Sequence, residues 1–463
     1  MIRLFRVAVP SSVLMLMLGD LILLVLCYII PAQWTQELPL GIYLWDDYGA
    51  LSIALVMVVM LAGFYLSDLY ENFRKQPATL IVQQLCLVLG VELLIQSLLS
   101  YVRSPLVVSK WLMLYGGAAT LIVLPLWRRL FMNFVARRLG ASTVLFVGSS
   151  PVVREIVREM ADRPELGLKA LGYVDDERDP EVEALGLRCC GSIAELAQVA
   201  ETQQPERLIV DVQAGQHSRF PVESLLDQQF SGRPIERSAS TYETIFGRIS
   251  IQSLRAEDLI FSFDGPKQTT VLSQTLYSFV LAVMGALITL PLMLIVALLV
   301  RVTSPGPVLF RQTRVGKNKR PFTLYKFRSM RADAEAKTGA VWATKGDPRI
   351  TPIGNIIRKL RLDELPQFFN VLRGDMSLVG PRPERPEFVE ILEDKIPFFR
   401  QRMAVKPGIT GWAQINHKYG DTLEDTVTKL EYDLYYIKNL TPSLDAYIIF
   451  HTVKVMLLSR GAQ

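Results

Sequence analysis

The stretch Gln268–Val300 reads QTTVLSQTLYSFVLAVMGALITLPLMLIVALLV and contains no charged residue over 33 positions. As a helix it is long enough to span about 30 Å of hydrocarbon with residues to spare. Pro291 lies two-thirds along it, and a proline removes a backbone donor and can bend a helix sharply. The segment therefore predicts a membrane helix with a break at Pro291.

Basic residues flank this helix on both sides, and basic flanks stay on the cytoplasmic side of a membrane. The flanking residues are Arg248, Arg255 and Lys267 before the helix, and Arg301, Arg311 and Arg314 after it. We therefore expect a re-entrant helix over residues 268–300 that enters and leaves by the cytoplasmic face. An ordinary fifth crossing is the alternative.

Four further apolar stretches lie in the first third of the chain, and each is long enough to cross a bilayer. They are Ser11–Ile30, Ala50–Leu66, Thr79–Leu99 and Trp111–Phe131. The positive-inside rule places both ends of this region in the cytoplasm, so we expect a four-helix transmembrane bundle over residues 1–138. Asp20 and Glu92 interrupt these helices, and we expect them to make inter-helix or interfacial contacts.

Residues 139–240 alternate strand-like and helix-like patterns, which is typical of an α/β domain with a parallel sheet. The run STVLFV at 142–147 is followed by Gly148 and a helical pattern. The fingerprint GxGxxG is missing, so this Rossmann-like cytosolic domain is expected to be regulatory or dimerising. A dinucleotide cofactor is the alternative. Residues 241–267 are interpreted as a linker.

Composition narrows the chemistry of the remaining part. Half of the residues are hydrophobic and the net charge is +5, yet residues 301–331 contain nine Lys or Arg and no Asp or Glu. This run indicates anionic-lipid contacts, a solvated face or phosphate ligands. The four cysteines form no disulfide framework, and with three histidines a zinc site is not expected.

An adjacent acid pair, Asp363-Glu364, lies in the run IIRKLRLDELPQFFNVLRGDMSLVGPRP at 356–383. Pro366 fits the first turn of a following helix, whose amino terminus lowers the pKa of a nearby carboxyl. Plain helix capping is the structural alternative. The cations Lys326 and Arg328, two apart on a strand, and Arg382 in the Pro-Arg-Pro turn suit a polyphosphate. Aspartate as nucleophile, with Mg²⁺ on the neighbouring acid, predicts phosphoryl transfer.

Two later segments are less specific. The run KPGITGWAQIN at 406–416 carries Trp412, which is expected to pack rather than to stack on a base, and Lys418 follows as a candidate phosphate contact. The apolar-rich helix at 444–458 either lies in the membrane interface or closes the core, and the sequence does not decide between them.

The motifs KFRSM, RLDELPQFFNVLRGDMSLVGPRP and KPGITGWAQIN resemble the signature blocks of the bacterial sugar transferase family of polyprenyl-phosphate phosphoglycosyl transferases. The four amino-terminal helices and the Rossmann-like module resemble its large members, which start exopolysaccharide assembly. The resemblance implies a monotopic α/β catalytic domain over residues 301–463. It also implies that Asp363 attacks the β-phosphate of a UDP-sugar, releasing UMP, and that undecaprenyl phosphate then accepts the phosphosugar.

By the same resemblance, Glu364 holds Mg²⁺ together with Asp363. The candidate substrate-binding residues are Lys326, Arg328, Arg361, Arg382 and Lys418. The partners implied are a UDP-sugar, undecaprenyl phosphate, membrane lipids and a second copy of the chain as a homodimer, but no nucleic acid. The location implied is the bacterial cytoplasmic (inner) membrane, with the soluble domains in the cytoplasm.

Two departures from the family pattern stand out. Leu290 replaces the serine that often precedes the membrane-break proline, and Lys418 replaces an arginine that some small members carry. The competing interpretations are a membrane-anchored nucleotide-sugar dehydratase or epimerase and a non-catalytic export scaffold. The former requires a Tyr-x-x-x-Lys pair, which this chain lacks. The sequence does not specify the sugar, for which glucose or galactose is the family-level expectation.

Overall fold

The computed structural model describes residues 2–4, 7–70, 78–135, 141–211, 221–261, 263, 265, 267–331, 334, 347–417 and 422–457. The chain divides into two compact units. The first consists of Met1–Arg3 and Ala8–Glu236, and the second of Leu4–Val7 and Arg237–Gln463. Two short strands, β1 (Ile2–Leu4) and β2 (Val7–Val9), come first in the chain.

The first unit begins with a helical part. Its helices are α1 (Ser11–Thr35), α2 (Leu40–Trp45), α3 (Gly49–Leu66), α4 (Ala78–Val102) and α5 (Lys110–Leu130), the last continued by a π-helical turn at Phe131–Val135. Four of them coincide with the predicted apolar stretches. Together with Gln268–Thr303, they give five helices among the described residues that are long and apolar enough to cross a membrane.

Asp20 has the inter-helix contact that the sequence led us to expect, and its partner is an arginine 108 positions later. Nη2 of Arg128 lies 2.6 Å from Oδ2 of Asp20, with both side chains buried, and Nη1 donates to the carbonyl of Leu69 at 2.8 Å. Arg128 therefore neutralises the acid of α1. Glu92 is buried as well, and neither of its carboxylate oxygens has a hydrogen-bond partner among the described residues.

The second part of this unit is the expected α/β domain. Its strands are β3 (Ser142–Val147), β4 (Leu168–Val174), β5 (Cys189–Gly191), β6 (Arg207–Val210) and β7 (Ile235–Arg237), in the order β5-β4-β3-β6-β7. The pairings of β3 with β4 and β6, and of β4 with β5, are parallel. This order is that of a Rossmann half, with its switch point between β3 and β6. The helices are α6 (Pro151–Asp162), α7 (Pro180–Ala184), α8 (Leu196–Gln203) and α9 (Val222–Phe230).

The second unit starts earlier than expected. Residues 241–267 were interpreted as a linker, but α10 (Ser238–Phe246) and α11 (Ala256–Phe261) lie here. Ile249 is buried in the core of this unit, and its N–H donates to the carbonyl of Glu431 at 3.1 Å. The segment is part of the unit because its apolar residues pack into the core.

The long apolar helix α12 (Gln268–Thr303) is continuous through Pro291. A narrow stripe of its residues is buried, namely Gln274, Ser278, Ala282, Met293, Val296 and Val300, and most of the remaining surface is exposed and apolar. The described structure thus contains apolar helices and a parallel α/β domain, which confirms a membrane protein with an α/β domain.

The rest of the second unit is built around two small sheets. Strands β8 (Leu309–Val315) and β9 (Pro321–Phe327) form an antiparallel hairpin, and β10 (Ser377–Val379) pairs in parallel with β11 (Gly408–Thr410). The helices are α13 (Pro352–Lys359), α14 (Gln367–Leu372), α15 (Pro386–Lys395), α16 (Trp412–Asn416), α17 (Leu423–Lys438) and α18 (Pro442–Leu457).

The packing of this core confirms the expectation for Trp412 and bears on the open question of the last helix. Trp412 is buried, stacks on Tyr435 and donates from its indole nitrogen to the carbonyl of Gly247 at 2.6 Å, so it is a packing residue. Helix α18 closes the core with Leu444 and Ile448, while other apolar residues, among them Phe450, Val453 and Met456, stay exposed.

Candidate active site

The acid pair lies in a tight turn between two helices. Helix α13 is capped by Thr351, whose side chain accepts from the N–H of Gly354 at 3.0 Å. After this helix Arg361 takes a left-handed conformation, with φ of 58°, and redirects the chain. Asp363 and Glu364 then fall in a single 3₁₀ turn, Leu362–Glu364, and α14 begins at Gln367.

Three predicted cations come together around Glu364. Lys326 Nζ lies 2.9 Å from Oε1, and Arg382 Nη2 lies 3.0 Å from the same atom. Arg361 Nη1 is 4.0 Å from Oε2, which is longer than a hydrogen bond. Lys326 comes from strand β9 and Arg382 from the turn after β10, so three separate segments build one charged cluster. The sequence predicted each of these residues, but not their common partner.

The two acids have opposite electrostatic environments. Burial opposes ionisation of Glu364, but the positive charges of Lys326 and Arg382 outweigh it and hold its pKa well below the usual range. For Asp363, which is 9% exposed, burial raises the pKa, although Lys326 acts against that rise. The helix amino terminus was expected to lower this pKa, but α14 begins only after the turn, and burial dominates.

Arg328 lies outside the charged cluster. It is 4% exposed, and its guanidinium donates to the carbonyls of Ser304 and Pro305 at 2.6 and 2.8 Å. Strand β9 ends at Phe327, so the two-residue spacing from Lys326 no longer keeps both cations on one strand face. Arg328 closes the end of the apolar helix instead. Lys418 lies outside the described residues, and its role stays a prediction.

Three residues near the site were missed by the sequence reasoning. Arg358 lowers the pKa of Asp363 through its charge, and its place in the basic run before the acid pair was an available signal. Arg402 donates to the carbonyl of Arg382 at 3.0 Å, and Arg314 donates to that of Pro383 at 2.9 Å. These two contacts join separate segments of the chain, and no local sequence pattern predicted them.

The donor set is compatible with Mg²⁺. The described residues contain no group of three or more Asp, Glu, His or Cys that could hold a metal. Mg²⁺, however, is usually held by one or two carboxylates together with substrate phosphates and water. Asp363 and Glu364 supply two carboxylates, and Oε2 of Glu364 is not taken by a hydrogen bond at its 4.0 Å contact with Arg361. These residues therefore fit a cation shared with a phosphate-bearing substrate.

In the first loop of the α/β domain, hydrogen-bond donors are bonded to an aspartate of the same domain. Oδ2 of Asp175 accepts from both the N–H and the hydroxyl of Ser149, each at 2.7 Å. Helix α6 begins with Pro151, which has no N–H, and Ser150 caps the N–H of Val153 at 3.3 Å. The donors that would cradle a phosphate in a Rossmann loop are thus largely used internally.

Five apolar helices, together with a buried acid pair that has three cations near it, define a membrane protein that acts on phosphate groups. Comparison with known proteins agrees. The family model for bacterial sugar transferase matches residues 269–459, and a model described as CoA-binding domain matches residues 60–215.

Several curated relatives match much of the chain. It is 34% identical over 363 residues to the UDP-glucose:undecaprenyl-phosphate glucose-1-phosphate transferase of Xanthomonas campestris pv. campestris, covering 75% of this chain and 73% of that protein. The enzyme of the same name from Escherichia coli (strain K12) is 34% identical, covering 69% and 68%. The UDP-N-acetylgalactosamine-undecaprenyl-phosphate N-acetylgalactosaminephosphotransferase of Aeromonas hydrophila is 45% identical over 237 residues, covering 50% of this chain and 54%, about half, of that protein.

This chain belongs to the bacterial sugar transferase family. The expected resemblance to membrane phosphoglycosyl transferases is confirmed, and the relatives and apolar helices indicate a bacterial membrane protein. The CoA-binding description does not fit the first loop of the α/β domain. The carboxylate of Asp175 takes both donors of Ser149, which a phosphate in a Rossmann loop would need.

Proposed function

We propose that this chain transfers a hexose-1-phosphate from a UDP-sugar to undecaprenyl phosphate, as the initiating step of exopolysaccharide synthesis. The observation that carries the proposal is the cluster of Lys326, Arg361 and Arg382 around the acid pair. Three positive charges face two carboxylates, so the cluster attracts a polyphosphate. The names of the relatives support the two substrates, because they specify UDP-sugars and undecaprenyl phosphate.

The first step is a displacement at the β-phosphorus of the UDP-sugar. A carboxylate oxygen of Asp363 forms a bond to this phosphorus, and the bond to the oxygen bridging to the α-phosphorus breaks. UMP leaves with that oxygen and its electron pair. Lys326 and Arg382 move from Glu364 towards the phosphate oxygens, and they neutralise charge that builds up in the transition state.

The second step returns Asp363 to its starting state. An oxygen of undecaprenyl phosphate attacks the phosphorus of the sugar-phosphoryl aspartate, and the bond between this phosphorus and the carboxylate breaks. The products are the undecaprenyl-diphosphate sugar and the free enzyme. Asp363 and Glu364 would hold Mg²⁺, which supplies charge neutralisation on the phosphate oxygens when it is bound.

We further propose that α12 is re-entrant. A straight helix of 36 residues is about 54 Å long, so a crossing would leave one end on the far side of the membrane. Both ends of α12, however, pack on the same unit. Gln274 donates to the carbonyl of Val379 at 3.3 Å, and Val300 lies in one buried cluster with Phe327 and Ile357.

A bend in α12 has two sources in the sequence. Pro291 lacks the N–H that would bond one turn back. Thr289 donates its hydroxyl to the carbonyl of Gly285 at 2.7 Å, a type of contact that often bends helices. Thr289 thus supplies a hydroxyl that Leu290 does not. With four crossings before it, this topology puts the α/β domain and residues 301–463 on the cytoplasmic side of the bacterial cytoplasmic membrane. A tag at the carboxyl terminus should resist a membrane-impermeant reagent in intact cells, and external labelling would contradict it.

UMP release tests the transfer itself. The full chain in membranes, given Mg²⁺, undecaprenyl phosphate and a panel of UDP-sugars, should release UMP with one of them. Asp363→Asn should abolish release and the covalent phosphosugar adduct seen by mass spectrometry. Asp375→Asn is the matched control, since the ion pair described for Asp375, with Arg373 at 3.8 Å, is long. If Asp363→Asn still releases UMP, Asp363 is not the nucleophile.

We also propose that the chain forms a homodimer, which cross-linking in membranes tests.

A further inference from the structure

The turn that carries Arg382 is held at every main-chain carbonyl. This turn, Pro381–Glu384, follows strand β10 and points its arginine at the acid pair. Its four carbonyls accept from the N–H of Gly408 at 3.0 Å, from Nη2 of Arg402 at 3.0 Å, from Nη1 of Arg314 at 2.9 Å and from the N–H of Val315 at 2.9 Å. Two of the four donors are therefore arginine side chains.

Arg402 is the more buried of these two arginines, at 7% exposed. Its Nη2 lies 2.8 Å from Oδ2 of Asp433, which is 2% exposed, besides donating to the carbonyl of Arg382. Its Nη1 lies 3.6 Å from Oε1 of Glu384, at the end of the same turn. The guanidinium thus connects the turn to helix α17 through a buried ion pair.

We propose that Arg402 is a positioning residue for sugar-phosphate transfer, which acts by fixing the main chain of Arg382. It touches neither Asp363 nor Glu364 in any described contact. Arg382, in contrast, reaches Oε1 of Glu364 at 3.0 Å and must shift to a substrate phosphate. An error of about 1 Å in a catalytic group can cost about a hundredfold in rate, so the position of this carbonyl matters.

The chemistry of the position requires a guanidinium. Nη2 meets both the Arg382 carbonyl and the Asp433 carboxylate, while Nη1 of the same planar group faces Glu384. A lysine in the same place keeps a positive charge, but its single ammonium cannot lie at the positions of both nitrogens. Arg402→Lys therefore separates positioning from charge.

The test is a double-mutant cycle on UMP release by the full chain. Arg402→Lys should lower kcat/KM for the UDP-sugar by about tenfold or more. Arg400→Lys, two residues earlier and exposed, should leave it unchanged. In an Arg382→Ala background, Arg402→Lys should have almost no further effect, because the group it positions is gone. A purely structural role predicts equal losses in both backgrounds and would overturn the inference.

This inference rests on the proposed function, and the two fail differently. If the unmodified chain releases no UMP from any UDP-sugar, the proposed function fails. If it does and Arg402→Lys matches Arg400→Lys, only the positioning role fails. Should Arg402→Lys not fold, the pair Arg402→Gln/Asp433→Asn replaces it in the same cycle, because it leaves no buried charge without a partner. Additive losses for that pair overturn the inference equally.

Discussion

A buried polar cluster attaches the apolar helix α12 to the rest of the second unit, and its removal has a predictable effect on stability. Asp445 is fully buried and accepts from Nε2 of Gln274 at 2.8 Å, from the hydroxyl of Tyr436 at 2.9 Å and from the hydroxyl of Tyr277. Gln274 also donates to the carbonyl of Val379 at 3.3 Å, and the single proton of the Tyr436 hydroxyl is shared between Asp445 and this carbonyl, 3.2 Å away. The perturbation is Asp445→Leu, which keeps the side-chain bulk and removes the acceptor.

The expected loss of folding free energy follows from the number of hydrogen-bond donors that lose their acceptor. A buried donor that loses its acceptor costs about 1–3 kcal/mol. Tyr277 loses the only acceptor described for it, whereas Gln274 and Tyr436 keep the Val379 carbonyl and so fall at the lower end of that range. The expected loss is about 3–5 kcal/mol. Asp445→Asn retains an oxygen acceptor but no charge assistance, and should lose about 1–2 kcal/mol.

Thermal unfolding of the full chain in detergent is the assay, with Asp394→Leu as the control because Asp394 is exposed in α15. At about 2–4 °C per kcal/mol for a unit of this size, Asp445→Leu should lower Tm by about 10 °C. Asp445→Asn should lie between it and the unmodified chain. If Asp445→Leu unfolds within about 1 kcal/mol of the control, the cluster does not fix the helix and this reasoning is wrong.

Three further predictions concern other parts of the chain. Asp20→Leu should destabilise the chain by about 3–5 kcal/mol, whereas Asp20→Leu/Arg128→Leu should lose less, since no buried charge is left alone; equal losses in thermal unfolding would contradict this. Burial raises the pKa of Asp433 to about 6 against the attraction of Arg402, so the folded chain holds the proton more tightly than the unfolded chain, whose pKa is near the ordinary 3.8. Stability measured relative to Asp433→Asn should therefore rise by about 1 kcal/mol as the pH falls from about 7.5 to about 5, and a constant difference would refute it. Because Asp175 occupies the first Rossmann loop, equilibrium dialysis of the full chain against labelled CoA at about millimolar concentration should detect no saturable binding; saturation would show that the loop opens.

The sequence predicted those elements that depend on local pattern. Apolar length marked the long helices, and the alternation of strand and helix marked the parallel sheet, because burial on both faces of such a sheet favours short apolar runs. The sequence also predicted the acid pair and three of the cations near it. Adjacent acids and basic residues in short motifs are typical of a site that binds phosphate. Most charged residues of the site could thus be predicted without a structure.

Contacts between residues far apart in the sequence could not be predicted. Asp20 and Arg128 are 108 positions apart, and nothing near Asp20 specifies an arginine partner. Arg328 was misplaced for a related reason: the argument from strand period assumed that β9 continues, but it ends at Phe327, and Arg328 binds the carbonyls after α12. Where an element ends depends on what it packs against, which is a property of the fold.

The apolar helix α12 and Arg382, for which we propose a phosphate contact, are attached to the same short segment. Gln274 bonds the carbonyl of Val379, and the hydroxyl of Ser278 accepts from the N–H of Leu378 at 3.4 Å. Arg382 follows Val379 by only three positions, and all four carbonyls of its turn, Pro381–Glu384, are hydrogen-bonded. A lipid phosphate lies at a depth fixed by the bilayer, so a displacement at the phosphorus requires the cations to be held at that depth. A segment this short and this fully bonded transmits the depth of the helix directly to Arg382. On the proposed function, loosening Gln274 should therefore weaken use of the lipid acceptor more than binding of the soluble nucleotide-sugar, since only the former is positioned by the membrane.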